Sequence, residues 1–149
     1  MQFFEPAPFA ITDPLLARLY AYWNMKRGSY PMPKRRDIDP VELGYILGNI
    51  NLIDVLRDPV RFLIRLHGTE LARREGEDRT SKTIEELPQA EFSAVASAHF
   101  TAVVETGVAH RSVSDRMLGG RVMHYEAILM PLSDDRKTVD RILIGTRHS

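Results

Sequence analysis

The chain has no cysteine, so disulfide bonds, thiolate catalysis and thiolate metal sites are excluded. It also has no apolar run that approaches the roughly 18 residues of a membrane-spanning helix. Residues 1–11 carry Glu5 and two prolines, where a secretory signal would have a basic start and an apolar centre. We therefore expect a cytoplasmic protein that has no membrane partner.

An excess of one charge sign is missing as well, because 20 lysines and arginines balance 20 acidic residues. Nucleic-acid binding needs a one-sided basic surface, so we expect no nucleic-acid partner. The basic run at residues 34–36 could hold a phosphate, but Asp37 and Asp39 follow at once and dilute its charge. What the chain does have is the composition of one soluble globular domain, with 149 residues of which 44% are hydrophobic and 27% are charged.

The first predicted helix spans residues 13–28, where Asp13 is the cap, Pro14 lies in the first turn and Gly28 follows the end. Its apolar residues are spaced as on one helical face. They are Leu15, Leu16, Leu19, Tyr22 and Trp23. Such a stripe must be covered, either by the sheet of its own domain or by the same helix of a second copy. We expect a homodimer that forms through this stripe.

The rest of the chain alternates between predicted strands and helices. Two apolar runs are joined by a turn at Asp58 and Pro59, which favours a hairpin of strands over residues 50–56 and 60–66. Helices are predicted over residues 69–74, 81–87 and 89–106, and Gly107 ends the last of them. Three strands follow over residues 109–118, 121–132 and 138–147, the first two joined by the tight turn Gly119-Gly120.

Several motifs of the chain occur in the same order and at the same spacing in a known family. They are Tyr22-Trp23, Arg35-Arg36-Asp37-Ile38-Asp39-Pro40, Leu52-Ile53-Asp54-Val55, Arg61-Phe62 with Arg65-Leu66-His67-Gly68-Thr69, Tyr125-Glu126 and Met130-Pro131-Leu132. On these residues the chain resembles the small stand-alone PAS-like sensory proteins of alphaproteobacteria, over residues 13–146. It departs from them at Ser81, where family members usually have glycine.

The resemblance implies an α+β fold with a five-stranded antiparallel sheet in the order 2-1-5-4-3. The implied helices lie on one face of this sheet, and the helix over residues 13–28 flanks the core motif. The chain is thereby divided into a flanking helix and linker, residues 1–31, and a PAS-like domain, residues 32–149. The predicted order of two strands, then helices, then three strands agrees with this fold.

The resemblance also implies that the helix over residues 89–106 forms one wall of a ligand cavity. At about 100° per residue, the apolar side chains of this helix converge on one face, with His99 in the middle. Alternation along the second strand directs Phe62, Ile64 and Leu66 inward. For the fourth strand, the interior side stays open between the faces of Tyr125 and Ile128. The candidate ligand-binding residues are His99, Phe92, Val95, Val103, Phe62, Ile64, Leu66 and Tyr125.

For His99 the sequence leaves three alternatives: a buried side chain bonded to a neighbour, a ligand contact in the pocket, or a haem ligand. Only the resemblance suggests haem, because some haem-binding PAS domains use a histidine on this helix. The sequence requires no cofactor. No metal site is expected either, since the five histidines show no H-x-H or H-x-x-x-H spacing.

A two-residue hairpin loop places Asp115 opposite His124. Such a pair is the orienting half of a hydrolytic triad. Ser112 and Ser114 alternate onto the other face of the strand, so no nucleophile completes it. We therefore expect a cross-strand ion pair and no catalytic residues.

These observations favour a non-catalytic sensory or interaction module whose cavity can hold a small ligand and which signals through a protein partner. Three alternatives stay open. The first is a small hydrolase or isomerase that uses Asp115 and His124, the second is a haem-binding sensor that uses His99, and the third is a structural adaptor without a ligand.

Overall fold

Within residues 3–118 and 120–149, which the computed structural model describes, six strands form one antiparallel sheet and three α-helices pack on it. The strands are β1 (Phe3–Pro6), β2 (Ile50–Leu56), β3 (Arg61–His67), β4 (His110–Leu118), β5 (Arg121–Leu132) and β6 (Arg141–His148). The helices are α1 (Pro14–Arg27), α2 (Thr69–Glu75) and α3 (Ala90–Thr106). Gly119 of the predicted turn lies outside the described residues.

The strands lie side by side in the order β1-β4-β5-β6-β2-β3. Strands β2 to β6 are the five predicted ones, and their order confirms the prediction. The sixth strand, β1, was not predicted. It pairs with β4 and brings Phe4 opposite Ser112. Its four residues show no apolar alternation and end at Pro6, so only the distant pairing partner makes this segment a strand.

The helix α1 has the predicted start and end. The Asp13 carboxylate accepts the backbone N–H groups of Leu15 and Leu16 at 2.9 and 3.1 Å, which satisfies two donors of the first turn. Gly28 follows the last turn at a φ of 58°, a conformation that glycine adopts without steric cost. The predicted helix over residues 13–28 is therefore confirmed.

The apolar stripe of α1 is covered by the sheet of its own chain. Leu16 and Leu19 are 0% exposed, and both lie against Gly145 of β6, where a Cβ atom would stand 3.0 Å from the Leu16 Cδ2 atom. The Trp23 indole N–H donates to the Pro131 carbonyl at 3.0 Å. These three side chains have no free surface for a second copy, so the homodimer stays a prediction that needs another surface.

Helices α1 and α3 lie on opposite faces of the sheet. On β5, Glu126 and Ile128 face α1, whereas Tyr125 and Leu129 face the α3 side. Both sides of this strand are buried. A strand that is covered on both faces shows no clear alternation of apolar and polar residues. For this reason the sequence did not indicate which side of β5 faces the interior.

A β-bulge overturns part of the predicted alternation in β3. Leu52 lies opposite Leu66, but the next residue, Ile53, lies opposite Ile64, so β3 has one extra residue between these pairs. Beyond the bulge the two faces of β3 are exchanged. Leu66 is 40% exposed, against the prediction, and His67 is buried instead.

The predicted face of α3 is also corrected. Phe100 and Val103 are its buried residues, whereas Val95 is 50% exposed and cannot line an internal cavity. Two stripes of side chains overlap on this helix. One runs through residues 92, 96, 99 and 103, and the other through residues 96, 100 and 103. The second stripe faces the sheet, so Phe100 takes the place predicted for His99.

The connection from α2 to α3 contains less helix than predicted. Of residues 81–87 only Ile84–Glu86 form a 3-10 turn. Ser81 has a φ of 73°, in the left-handed region where side chains cost energy and glycine does not. The glycine that the resemblance implies at this position would adopt this conformation without that cost. No helix of the described chain has the length and apolar character needed to cross a membrane.

Candidate functional site

The space predicted for the ligand, between α3 and β3, contains an aromatic pair. The rings of Phe62 and Phe100 meet edge to face, with 5.3 Å between their centroids. Ile64 and Val103 are buried in the same apolar cluster. Phe62 therefore contacts α3 through Phe100, and Ile64 and Val103 are buried in the same hydrophobic core.

Two further predicted residues share an arginine on the same side of the sheet. The Arg116 guanidinium lies 5.4 Å from the ring centroid of Phe92 and 4.7 Å from that of Tyr125. These distances suit an attraction between a cation and the ring faces. Phe92 and Tyr125 therefore lie around one cation on the α3 side of the sheet.

His99 lies elsewhere than predicted, against β1. Its ring stacks flat on Phe4, with 3.9 Å between the centroids and 2° between the planes, and Phe4 stacks in turn on His110 at 4.6 Å. Burial lowers the pKa of His99, and the nearby His110 lowers it further. Burial also lowers the pKa of His110. Both imidazoles are thus kept neutral beside the Phe4 ring.

This position does not fit a haem ligand of the predicted kind. Such a ligand on α3 would project toward Phe62, and Phe100 occupies that direction. His99 is only partly buried and projects toward β1. Among residues 3–118 and 120–149, no group of three or more histidine or acidic side chains is placed to hold a metal ion.

His67, which the bulge turns inward, connects β3 with the segment after it. Its Nε2 atom lies 2.8 Å from a Glu75 carboxylate oxygen, and its Nδ1 atom accepts the Arg79 backbone N–H at 3.0 Å. Because Nδ1 accepts, the ring proton lies on Nε2 and points at Glu75. Both ring nitrogens are used in holding the chain, so His67 is a structural residue.

The predicted pairing of Asp115 with His124 is confirmed. The two residues are direct cross-strand partners, and the Asp115 carboxylate lies 2.6 Å from His124 Nδ1. The His124 side chain is 61% exposed, and the strand alternation puts Ser112 and Ser114 on the other face. The backbone of Ser149 exchanges two hydrogen bonds with that of His124, at 3.2 and 2.9 Å. Within the described residues the Ser149 hydroxyl makes no hydrogen bond to the imidazole, so the geometry supports a surface pair and not a catalytic triad.

A connected group of polar side chains holds the start of α1 on the sheet. Glu126 of β5 accepts the backbone N–H groups of Thr12 and Asp13 at 2.9 and 2.8 Å. It also accepts the Arg111 Nε–H at 2.6 Å, and Arg111 reaches Glu5 of β1 at 3.2 Å. One carboxylate therefore ties α1, β4 and β5 together.

A second ion pair completes this group. The Arg147 Nε–H donates to Asp13 Oδ2 at 3.2 Å, while the other oxygen of Asp13 caps α1. Two carboxylates and two arginines are thus paired, so that opposite charges compensate one another where folding removes them from water. We call Asp13, Arg111, Glu126 and Arg147 the helix latch.

A surface cavity of about 350 Å³ opens at the helix latch. Its lining includes all four latch residues together with His124 and Tyr125. The cavity offers charged groups that can bind and orient a polar group. It therefore marks the helix latch as the candidate functional site.

The other end of α1 is fixed as well. The Tyr22 hydroxyl donates to Glu42 at 2.8 Å and accepts the Asp39 backbone N–H at 2.9 Å. Burial, together with the neighbouring Glu42 and Asp39 carboxylates, raises the pKa of Tyr22 to about 12. The hydroxyl therefore keeps its proton and its donor role at neutral pH.

Sequence reasoning missed the helix latch, although one signal pointed to it. Tyr125-Glu126 is among the motifs that carry the family resemblance, yet a charged residue in an apolar strand reads as solvent-facing. Arg111 lies on the neighbouring strand of the predicted hairpin, but Asp13 is 113 positions away in the chain. Only the folded sheet brings them within hydrogen-bond distance.

Comparison with known proteins supports the fold. A family model described as a PAS domain matches residues 11–146. Among solved structures, the chain is similar to one described as an RNA-binding Light-Oxygen-Voltage receptor, with 14% sequence identity and a TM-score of 0.52. The match covers 99% of this chain and 38% of that chain, so this chain spans well under half of that protein's length. At this identity the likeness concerns the fold alone, and no curated protein gives a match.

Proposed function

We propose that this chain, which belongs to the PAS domain family, is a non-catalytic sensory and interaction module that signals through a protein partner. The observation that carries the proposal is the docking of α1 on the sheet face opposite α3. Alternate side chains of β5 and β6 contact one helix layer or the other. A change on the α3 side can therefore reach α1 through the thickness of one sheet.

The shortest route across the sheet lies in β5. Tyr125 contacts the Arg116 cation on the α3 side, and the next residue, Glu126, holds the start of α1. A displacement of β5 at Tyr125 would shift the Glu126 carboxylate and weaken its bonds to Thr12 and Asp13. In the proposed mechanism, release of α1 exposes its apolar stripe to the partner.

The proposed input is a small ligand that enters between α3 and the sheet. It would contact Phe62, Ile64 and Val103 and would displace the ring of Phe100. Displacement of this ring is the proposed trigger, because packed cores switch between discrete arrangements. The identity of the ligand, the cytoplasmic location and a homodimer all stay predictions.

One observation favours a second candidate, a structural adaptor without a ligand. The edge-to-face contact of Phe62 and Phe100 places protein atoms in the space predicted for the ligand. In that case the module would present α1 and the sheet to its partner in a single state. The Asp115 and His124 pair, by contrast, gives no support to the hydrolase alternative.

Native mass spectrometry of the chain purified from its own host separates these two candidates. A sensory module should carry a small molecule of defined mass. The variant Val103→Phe should abolish the binding of this molecule, because the larger side chain fills the space. The matched control is Val108→Phe, because Val108 is an exposed residue outside this space. A chain that carries no small molecule in the wild-type form favours the adaptor.

The role of α1 is tested by crosslinking in the same host. Glu126→Ala should change the yield of a partner crosslink, because it frees the start of α1. Glu105→Ala, at an exposed position on α3, is the control. The same partners at the same yield in both variants would contradict a signalling role of α1.

A further inference from the structure

A second cavity, of about 480 Å³, lies where residues 34–36 pack against the turn between β5 and β6. Four of its five lining residues are cationic. The lining consists of Lys34, Arg35, Arg36, Asp134 and Arg141. Its volume falls within the roughly 300–1,000 Å³ that is typical of small-molecule sites.

The acidic residues that dilute this basic run in the sequence do not line the cavity. The Asp37 carboxylate turns back to accept the Lys34 backbone N–H at 2.9 Å and lies 3.6 Å from Arg136. The Asp39 carboxylate accepts the Val41 backbone N–H at 3.0 Å. Both are thus used in local turns, and folding separates the cations from the acids beside them in the chain.

The acid that does line the cavity, Asp134, already has a partner. Its Oδ2 atom lies 3.3 Å from the Arg141 guanidinium, and its Oδ1 atom lies 3.4 Å from the Arg35 backbone nitrogen. Arg141 is also 3.3 Å from Asp54 and 3.4 Å from Asp140. Asp134 and Arg141 therefore compensate charges within the protein.

The other three cations are available. The Lys34 and Arg36 side chains form no hydrogen bond or ion pair with any residue in 3–118 or 120–149. Arg35 donates one N–H to the Ile38 carbonyl at 3.0 Å. A guanidinium has five N–H donors in total. Three positive side chains thus line one concave surface, and none of them forms an ion pair with a carboxylate of the described residues.

We propose that this cavity binds a small anion that carries two linked phosphate groups, through Lys34, Arg35 and Arg36. The planar fork of an arginine matches two phosphate oxygens at once, and lysine adds a mobile point charge. A monoanion would neutralise only one of the three cations, whereas a diphosphate has the charge to neutralise most of them. The net charge of the chain is zero, so the attraction is local to this cavity.

The probe is inorganic pyrophosphate, titrated into the full chain by isothermal calorimetry at an ionic strength held constant with potassium chloride. We expect saturable binding with one site per chain. Inorganic phosphate should bind at least about tenfold more weakly. Absence of saturable heat, or equal affinity for the two anions, would overturn the proposal.

The variant Lys34→Gln/Arg36→Gln should weaken pyrophosphate binding by at least about tenfold. It should fold normally, because neither side chain has a partner to lose, and circular dichroism checks this. The control Lys82→Gln/Arg121→Gln removes the same charge at two exposed positions away from the cavity and should bind as the wild type does. Equal weakening in both variants would show general charge attraction and would refute the site. If the double variant misfolds, Arg36→Gln alone should still lower the affinity severalfold.

Discussion

The Glu126 carboxylate accepts the backbone N–H of Asp13 at 2.8 Å, although 113 positions separate the two residues in the chain. Asp13 is the cap of α1, so this bond fixes the first turn of the helix to the middle of β5. Any movement of β5 therefore acts directly on the start of α1. The following predictions test this connection and the local geometry around it.

Replacing Glu126 with alanine should lower the free energy of unfolding by about 2–4 kcal/mol. The loss is large because Arg111, whose side chain is 12% exposed, loses its shortest ion pair and keeps weaker contacts to Glu5, the Thr12 hydroxyl and the Phe3 ring. Urea unfolding measures the loss, and hydrogen exchange should show faster exchange in the first turn of α1. The control Glu105→Ala should change stability by less than about 0.5 kcal/mol. Slow exchange in α1 of the Glu126→Ala protein would contradict the latch.

Replacing Gly145 with alanine should cost about 1–3 kcal/mol, because the new methyl group overlaps the buried side chains of Leu19 and Leu16. Chemical unfolding measures the cost, and faster exchange over α1 should accompany it. Gly44→Ala is the matched control, since the nearest atom to its new Cβ is the Val41 carbonyl oxygen at 3.8 Å. If both alanine variants have the same stability, α1 is not packed on Gly145 as described.

Replacing Ser81 with glycine should raise the free energy of unfolding by about 0.5–1 kcal/mol. Glycine removes the cost of the left-handed φ of 73°, and part of this gain is lost to the greater freedom of glycine in the unfolded chain. Ser97→Gly, inside α3, should instead destabilise by about 0.5 kcal/mol. Thermal and urea unfolding compare the two variants, and a destabilised Ser81→Gly protein would exclude the strained turn.

Acidification should destabilise the protein through the two histidines that flank Phe4. Burial lowers the pKa of His99, with a further contribution from His110, and burial also lowers the pKa of His110, from ordinary values of 6.5. The unfolded chain thus binds these protons more readily. The stability they contribute is complete above pH 6.5 and is lost as the pH falls toward the folded pKa values.

The free energy of unfolding should therefore be lower at about pH 5.5 than at about pH 7.5. The variant His99→Phe keeps a ring stacked on Phe4 but cannot take up a proton, so its loss of stability over this range should be smaller. Urea unfolding at the two pH values measures both proteins. An unchanged pH dependence in His99→Phe would show that this stack is not the source.

Much of the fold could be predicted from local signals. Asp13 and Gly28 mark the ends of α1, and the apolar run at residues 50–56 coincides with β2. The spacing of the last hairpin predicts the pairing of Asp115 with His124, which the structure confirms. These features depend on neighbours within a few residues, so the sequence carries them directly.

The residues of the site were less predictable, because a shift of one position in a strand or around a helix changes which side chain is buried. One extra residue in β3 buries His67 instead of Leu66. A shift of one residue around α3 buries Phe100 against the sheet instead of His99. Both alternatives have nearly the same apolar periodicity. The choice depends on which side chain finds space against the sheet, and no single segment contains that information.

The sequence by itself determined the five strands β2 to β6, the helices α1, α2 and α3, the order of these elements and the family, since caps, turns and periodicity are local physical signals. The tertiary structure alone decided that β1 joins the sheet and that α1 covers the face opposite α3. It also decided that Glu126 meets Asp13. Each of these depends on pairing, burial or charge compensation between segments that are distant in the chain. Such contacts acquire their energy only when the whole sheet has formed.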